Sequence, residues 1–152
     1  MIKFILVIFL SAITCMGTAQ VFPYEDIKLE KPGDYAATES LALSAANVII
    51  TRPYIDKDAN RENAARFLSK WMIGNKEHDF YLKGRVYDVK DDKILLQLYI
   101  AAMAKYSLEN KTESVNPLTV EKRSSKLVLA YYDDPKNNVN LKKKYRKILE
   151  TN

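Results

Sequence analysis

The chain has 152 residues, a formal net charge of +5, and only one cysteine and one histidine. This length suits a single domain with a sizeable core. The mild positive charge falls short of the strongly basic character that nucleic-acid-binding domains show, so nucleic acid is not an expected partner.

The N-terminal residues are typical of a secretory signal peptide. Lys3 supplies the positive charge, and residues 4–13 form an apolar run too short to span a bilayer. Gly17 and Ala19 are small residues at positions −3 and −1 of a cleavage site before Gln20. The sequence therefore predicts a signal peptide at residues 1–19 and a periplasmic or secreted protein.

Cys15 offers a second interpretation, in which it is the lipid-carrying residue of a lipoprotein signal. A lipobox favours a large aliphatic residue at −3 and Gly, Ala or Ser at −1, whereas this chain has Ala12 and Thr14 there. We favour simple cleavage over a lipid anchor. Removing 19 of the 152 residues leaves 133, with no thiol for a disulfide, a metal site or a nucleophile.

The remaining residues, 20–152, are predicted to form one helical domain. A first helix is predicted over residues 35–50, because Leu41, Ala45, Val48 and Ile49 recur on one helical face. The Pro53 that follows prevents the helix from continuing.

A second helix is predicted from an Asp58 cap to about Ile73, with Gly74 in the left-handed position after its end. Its apolar stripe consists of Ala64, Phe67, Leu68, Trp71 and Met72. Its charged residues are predicted to lie off this stripe: Arg61, Glu62, Arg66 and Lys70.

Three further helices follow in the sequence. Residues 93–108 are apolar on nearly every face, which indicates a central helix, and Asp91 and Asp92 suit its N-terminus. A fourth helix begins at the cap Asn116-Pro117 and ends at residues 133–135, and a fifth covers about residues 140–149.

Residues 78–89 lack a helical period, so an extended segment or a short hairpin around Lys83-Gly84 is predicted there. The complete pattern predicts an all-α fold of about five helices. Two stacked helical hairpins and a basic C-terminal helix would form a solenoid-like bundle, without a true sequence repeat.

Three segments carry a family resemblance: AARFLSKWMIGNKEHDFYL, LLQLYIAAMAKYSLENKTES and YYDDPKNNVNLKKKYRKIL. They resemble a group of short exported helical proteins from Bacteroidetes. Those proteins share a helix ending in Lys-Trp-Met-x-Gly, a Tyr-x-Ala-Ala-x-x-Lys-Tyr helix and a Pro-x-Asn-Asn turn before a basic final helix. The resemblance implies an exported, helical protein and supplies no catalytic residues.

Trp71 and His78 are the chain's only tryptophan and histidine, seven residues apart. Trp71 lies on the apolar stripe, so we expect it in the core. His78 has no second histidine or cysteine to complete a metal site, so we expect a loop histidine in a different environment. Replacing Trp71 with alanine should cost about 3–5 kcal/mol of stability, and replacing His78 should cost little.

The sequence contains no Gly-rich phosphate loop, nucleophile elbow, zinc-protease motif or calcium loop. We therefore predict neither enzymatic activity nor a cofactor or metal. The leading hypothesis is a protein-interaction module that contacts another envelope or secreted protein through a groove between the stacked hairpins.

The basic last helix supports the alternative hypothesis. Its cationic residues could contact an anionic envelope surface, although terminal helices commonly carry a solvated charged face. The candidate interaction residues are Lys142, Lys143, Lys144, Arg146 and Lys147. The sequence does not indicate an oligomeric state.

Overall fold

The structure is a computed structural model that describes residues 24–78, 80, 82 and 84–151. The predicted signal peptide and Cys15 lie outside the described residues. The α-helices, in chain order, are α1 (Pro32–Ala37), α2 (Glu39–Thr51), α3 (Ala59–Gly74), α4 (Arg85–Val89), α5 (Lys93–Glu109), α6 (Pro117–Asp133) and α7 (Lys143–Glu150).

The described part of the chain is all-α, as predicted. Helices α2 and α3 pack together as one hairpin, and α5 and α6 pack as a second. The hairpins meet through α2 and α5, and α7 lies against α6. Two short helices, α1 and α4, add to the five that the periodicity predicts.

Small side chains allow the two hairpins to approach closely. Ala45 and Ala46 on α2 are completely buried, and so are Ala101 and Ala102 on α5. Because the distance between packed helices depends on the side chains at the contact, alanines on both helices favour a short one. The apolar character of α5 on nearly every face follows from its central position, in contact with α2, α3, α4 and α6.

The predicted N-caps of α3 and α6 are confirmed. The Asp58 side chain accepts a hydrogen bond from the Asn60 N–H at 2.9 Å, and the Asn116 side chain accepts one from the Leu118 N–H at 3.0 Å. These side-chain oxygens satisfy backbone donors that lack partners within the first turn of a helix. The observed first residues of both helices therefore follow directly from the sequence.

The predicted first helix is divided in two at Thr38. Its hydroxyl donates to the Asp34 carbonyl at 2.6 Å and accepts from the Trp71 indole N–H at 3.0 Å. The backbone of Thr38, at φ −106° and ψ 9°, leaves the helical region. Side-chain bonds of this kind compete with the regular helical ladder, and here they divide α1 from α2.

The prediction of an extended segment or hairpin at residues 78–89 is wrong over residues 85–89, which form α4. Gly84, at φ +59°, turns the chain into this helix, in a region of backbone space that glycine enters without strain. Val89 is fully buried at the end of α4, which contacts α5 and α7. Five residues are too few to display a helical period in sequence.

The predicted role of Gly74 is also wrong. It is the last residue of α3, and Gly84 is the described glycine with a positive φ. A Cβ at position 74 would lie 2.1 Å from the Tyr35 hydroxyl, so any larger residue would have to displace the Tyr35 side chain. Tyr35 in turn donates a hydrogen bond to the Leu29 carbonyl at 3.4 Å.

The prediction that Arg61 lies off the buried stripe of α3 is wrong. Only 2% of its surface is exposed. Its guanidinium carbon lies 5.5 Å from the ring centre of Tyr54 and 5.7 Å from that of Tyr131. Within the described part of the chain, none of its three guanidinium nitrogens has a hydrogen-bond partner.

Candidate functional site

An apolar groove lies where the two hairpins meet, bounded by α3, α4 and α5. Its volume is about 260 Å³. Aliphatic side chains form most of its lining: Met72, Ile73, Leu82, Val86, Leu96 and Ile100. The groove exists because α4 stands beside the C-terminal end of α3 and the first turns of α5 without closing the space between them.

Two large apolar side chains at the groove are mostly exposed to solvent. Ile73 exposes 75% of its surface and Tyr87 exposes 60%. A single exposed apolar residue is ordinary on a protein surface, but exposed residues that join an apolar depression often mark a binding surface.

Few polar groups accompany the aliphatic lining. Among the described residues, Ser69, Tyr87 and Lys90 supply them, and Lys90 is the charged one. The Lys90 ammonium lies 5.8 Å from the ring centre of Tyr87. One cation therefore stands beside an otherwise hydrophobic surface.

The sequence did not identify these groove residues. Ile73 ends the predicted second helix but lies outside its predicted apolar stripe, and the structure leaves it exposed. Val86 and Tyr87 belong to α4, whose helical character the sequence concealed. The visible signal was the set of apolar residues scattered through residues 80–89, which follow no helical period.

A second cluster surrounds Trp71 and corrects the prediction for His78. The Trp71 and His78 ring centres are 6.1 Å apart, and both rings pack against Phe80, at 5.7 and 5.6 Å. Asn75 holds the intervening turn, because its side-chain oxygen accepts the backbone N–H of His78 at 3.2 Å. His78 lies in the turn after α3, so its predicted loop position is correct, but its ring packs beside Trp71 and the predicted difference in environment is wrong.

His78 connects this cluster to two other elements. Its Nε2 lies 3.1 Å from Glu39 Oε2 at the start of α2, and the Lys111 ammonium donates to Glu39 Oε1 at 2.7 Å. The hydrogen bond from Lys111 is the main cause that lowers the pKa of Glu39, with His78 adding to it and burial opposing it.

The polar contacts among Lys111, Glu39 and His78 hold three segments of the fold together. A depression of about 290 Å³ beside it is lined by Phe80, Ser107 and Lys111 among others. Within the described residues, no group of three or more His, Cys, Asp or Glu side chains is placed to hold a metal ion. The arrangement joins α2, the turn after α3 and the turn after α5.

The lowered pKa of Glu39 gives a pH-dependent contribution to stability. Since the folded pKa lies below its ordinary value of 4.5, ionised Glu39 stabilises the fold above that pH, and this contribution disappears as the pH falls through the folded pKa. We expect Glu39→Gln to lower the free energy of unfolding by about 0.5–1 kcal/mol at neutral pH, the size of a partly exposed ion pair.

Urea unfolding of wild type and Glu39→Gln near neutral pH and near pH 3 measures this contribution. The difference between them should be smaller at the acidic pH, because the wild-type carboxylate takes up a proton as the pH falls through its lowered folded pKa. Glu30→Gln, a change at an exposed glutamate, should leave stability unchanged at both. An equal Glu39→Gln effect at the two pH values would contradict an electrostatic origin.

Comparisons with family models, with curated proteins and with solved structures found no match to this chain. Functional assignment therefore depends on the sites themselves. None of the helices in the described part of the chain combines the length and apolar character that crossing a bilayer requires.

Part of the positive charge of the basic last helix is paired with carboxylates of the fold. Lys142 lies 3.6 Å from Asp92, and Arg146 lies 2.6 Å from Asp133 and 3.7 Å from Glu150. These contacts neutralise part of its charge and attach α7 to the rest of the fold.

The other lysines of this helix face solvent. Lys143, Lys144 and Lys147 are exposed, and the Lys144 ammonium lies 4.4 Å from the ring centre of Tyr145. Tyr145 and Leu149 are buried and form the face that packs on the protein. The surface charge available to a partner is therefore carried by three lysines.

Proposed function

We propose that this protein is a non-enzymatic protein-interaction module of the cell envelope, and that the groove between α3, α4 and α5 is its contact surface. The observation that carries the proposal is the exposure of Ile73 and Tyr87 at the rim of an aliphatic depression. Buried apolar anchors supply most of the affinity at protein interfaces, and such anchors need a pocket to fill.

Site-specific photocrosslinking in the native cells tests this proposal. A photoreactive phenylalanine in place of Tyr87 should join the protein to one defined protein in constant stoichiometry. The matched control is the same probe in place of Ile55, which is 63% exposed but does not line the groove.

A second substitution shows whether the crosslink depends on the groove. Ile73→Asp places a charge on its apolar wall, and we expect the Tyr87 crosslink to fall at least tenfold, as for loss of an interface hot spot. Equal crosslinking from positions 55 and 87, or a Tyr87 crosslink that Ile73→Asp leaves intact, would contradict the groove as contact surface.

The alternative function is association of α7 with an anionic envelope surface through Lys143, Lys144 and Lys147. The exposure of these lysines favours this function. The ion pairs of Lys142 and Arg146 disfavour it, because they reduce the positive charge that could contact such a surface. Salt separates the two functions, because exposed charges are screened at high ionic strength whereas apolar contacts are not. A crosslink from position 87 that persists at about 1 M salt supports the groove.

A further inference from the structure

We infer that the groove receives one amphipathic α-helix of a partner protein, which places one or two large apolar side chains in the groove and a carboxylate near Lys90. This inference rests on the proposed function and adds the class of partner. It follows from the size of the groove, from its shortage of hydrogen-bonding groups and from its charge.

The size of the groove sets the number of anchoring side chains. A cavity of about 150 Å³ accommodates a benzene-sized group, and this groove measures about 260 Å³. It therefore holds one or two side chains of leucine or phenylalanine size. On a helix, two such side chains lie on one face when they are three or four residues apart.

The polar content of the groove selects a helix over an extended peptide. An extended peptide carries unpaired N–H and C=O groups, and burying them without partners is costly. Peptides that bind in the extended form usually pair with an exposed strand edge. The described part of the chain has no strand, and among its residues only Ser69, Tyr87 and Lys90 give the groove polar side chains. A helix satisfies its own backbone groups.

The openness of the groove also favours a helix over a single acyl chain. Small ligands are usually enclosed over most of their surface. Here the rim residues Ile73 and Tyr87 are mostly exposed, so a narrow acyl chain would remain exposed to solvent on one side. The body of a helix would cover both residues.

Lys90 specifies the charge of the partner. Its ammonium is exposed, and among the described residues it is the charged group that lines the groove. A carboxylate on the partner helix, one turn from its apolar anchors, would pair with this ammonium. A basic helix would be repelled there, so the charge contributes specificity as well as affinity.

A second copy of this chain fits the groove less well. Besides Ile73 and Tyr87, the large apolar residues exposed in the described part of the chain are Ile55, Val115 and Leu118. Ile55 lies in a connection and Val115 in a short 3₁₀ turn, so they do not form a face on one helix.

A display library of helix-forming peptides tests the inference on the purified protein. We expect selected peptides to carry large apolar residues three or four positions apart and to prefer glutamate or aspartate to lysine beside them. Proline within a selected peptide should abolish its binding. Selection of extended or proline-containing peptides would overturn the inference.

Charge reversal gives the sharper measurement. Lys90→Glu should weaken binding of a selected acidic peptide roughly two- to fivefold and strengthen its Glu-to-Lys analogue by a similar factor, the range for an exposed ion pair. Lys122→Glu, at an exposed lysine on α6 that does not line the groove, is the matched control. Equal effects of both substitutions on both peptides would overturn the role of Lys90.

The remaining outcomes separate this inference from the proposed function. The groove would be ruled out as the binding site by either of two results. One is that Ile73→Asp leaves the binding of selected peptides unchanged. The other is that no peptide is selected and the probe at position 87 gives no crosslink. If no peptide is selected but the protein binds decanoate, and Ile73→Asp abolishes that binding, the ligand is a lipid and the inference of a partner helix is overturned. A size increase of the protein alone, lost in Ile73→Asp, would identify a second copy as the occupant.

Discussion

Trp71→Ala should lower the free energy of unfolding by about 3–5 kcal/mol, the range for removing a large aromatic side chain from a core. Trp71 is completely buried and packs against His78 and Phe80. Its indole N–H is shared by the Tyr35 carbonyl at 3.1 Å and the Thr38 hydroxyl at 3.0 Å. The substitution therefore creates a cavity and removes the donor that connects α3 to the break between α1 and α2.

A second variant separates these two effects. Trp71→Phe keeps an aromatic ring but loses the N–H, so beyond the volume change it should cost about 0.5–1.5 kcal/mol for the lost hydrogen bonding. The Tyr35 carbonyl still accepts the Thr38 N–H at 3.2 Å, so it is not left without a donor. Chemical unfolding gives both free energies, and Ile55→Ala, at an exposed residue, is expected to change stability by less than about 0.5 kcal/mol. A loss below about 1 kcal/mol in Trp71→Ala would contradict the packing of this residue in the core.

The second large effect should have the opposite sign: Arg61→Met is expected to raise the free energy of unfolding by about 1–3 kcal/mol. Burying a charged group costs several kcal/mol even after relaxation of its surroundings. The rings of Tyr54 and Tyr131 offset part of this cost, at about 0.5–2 kcal/mol for each cation–π contact. No hydrogen bond of good geometry reaches its guanidinium in the described residues, and the nearby Tyr131 hydroxyl compensates for little of the burial, so Arg61 retains a net penalty.

The tyrosines beside Arg61 do not supply a negative charge. Burial raises the pKa of Tyr131 and of Tyr54, and the nearby Arg61 only partly opposes the rise, so both stay neutral at physiological pH. Methionine has an unbranched side chain that can fill the same space between the rings, and its sulfur packs well against aromatic groups.

Thermal and chemical unfolding of Arg61→Met measure the gain, with Lys70→Met as the control at an exposed position of the same helix. We expect Lys70→Met to change stability by less than about 0.5 kcal/mol. Destabilisation of Arg61→Met by about 2 kcal/mol or more would show that the guanidinium contributes more than its ring contacts, and would contradict a net penalty for burying this charge.

The sequence predicts the helical parts of this fold well, because the physical signals that specify them are local. The stripe through Phe67, Leu68 and Trp71 requires only the spacing of apolar residues. The caps at Asp58 and Asn116 require only a side chain that reaches a backbone N–H two or three residues away.

The errors involve contacts between distant residues. Arg61 looks solvent-facing by its charge, and its burial results from Tyr131, which is remote in the sequence. His78 lacks neighbours in sequence to form a site, while its partner Glu39 lies on another helix. The groove likewise depends on how α4 stands beside α3 and α5, which the periodicity within each helix cannot reveal.

The hairpin arrangement also bears on how fast this chain folds. The pairs α2–α3 and α5–α6 each join helices that are close along the chain, and local contacts of this kind form faster than contacts between distant segments. The contact between α2 and α5 spans the longer loop, so its closure should come later. Burial of the alanines on these two helices would then mark the step at which two independent hairpins become one cooperative unit.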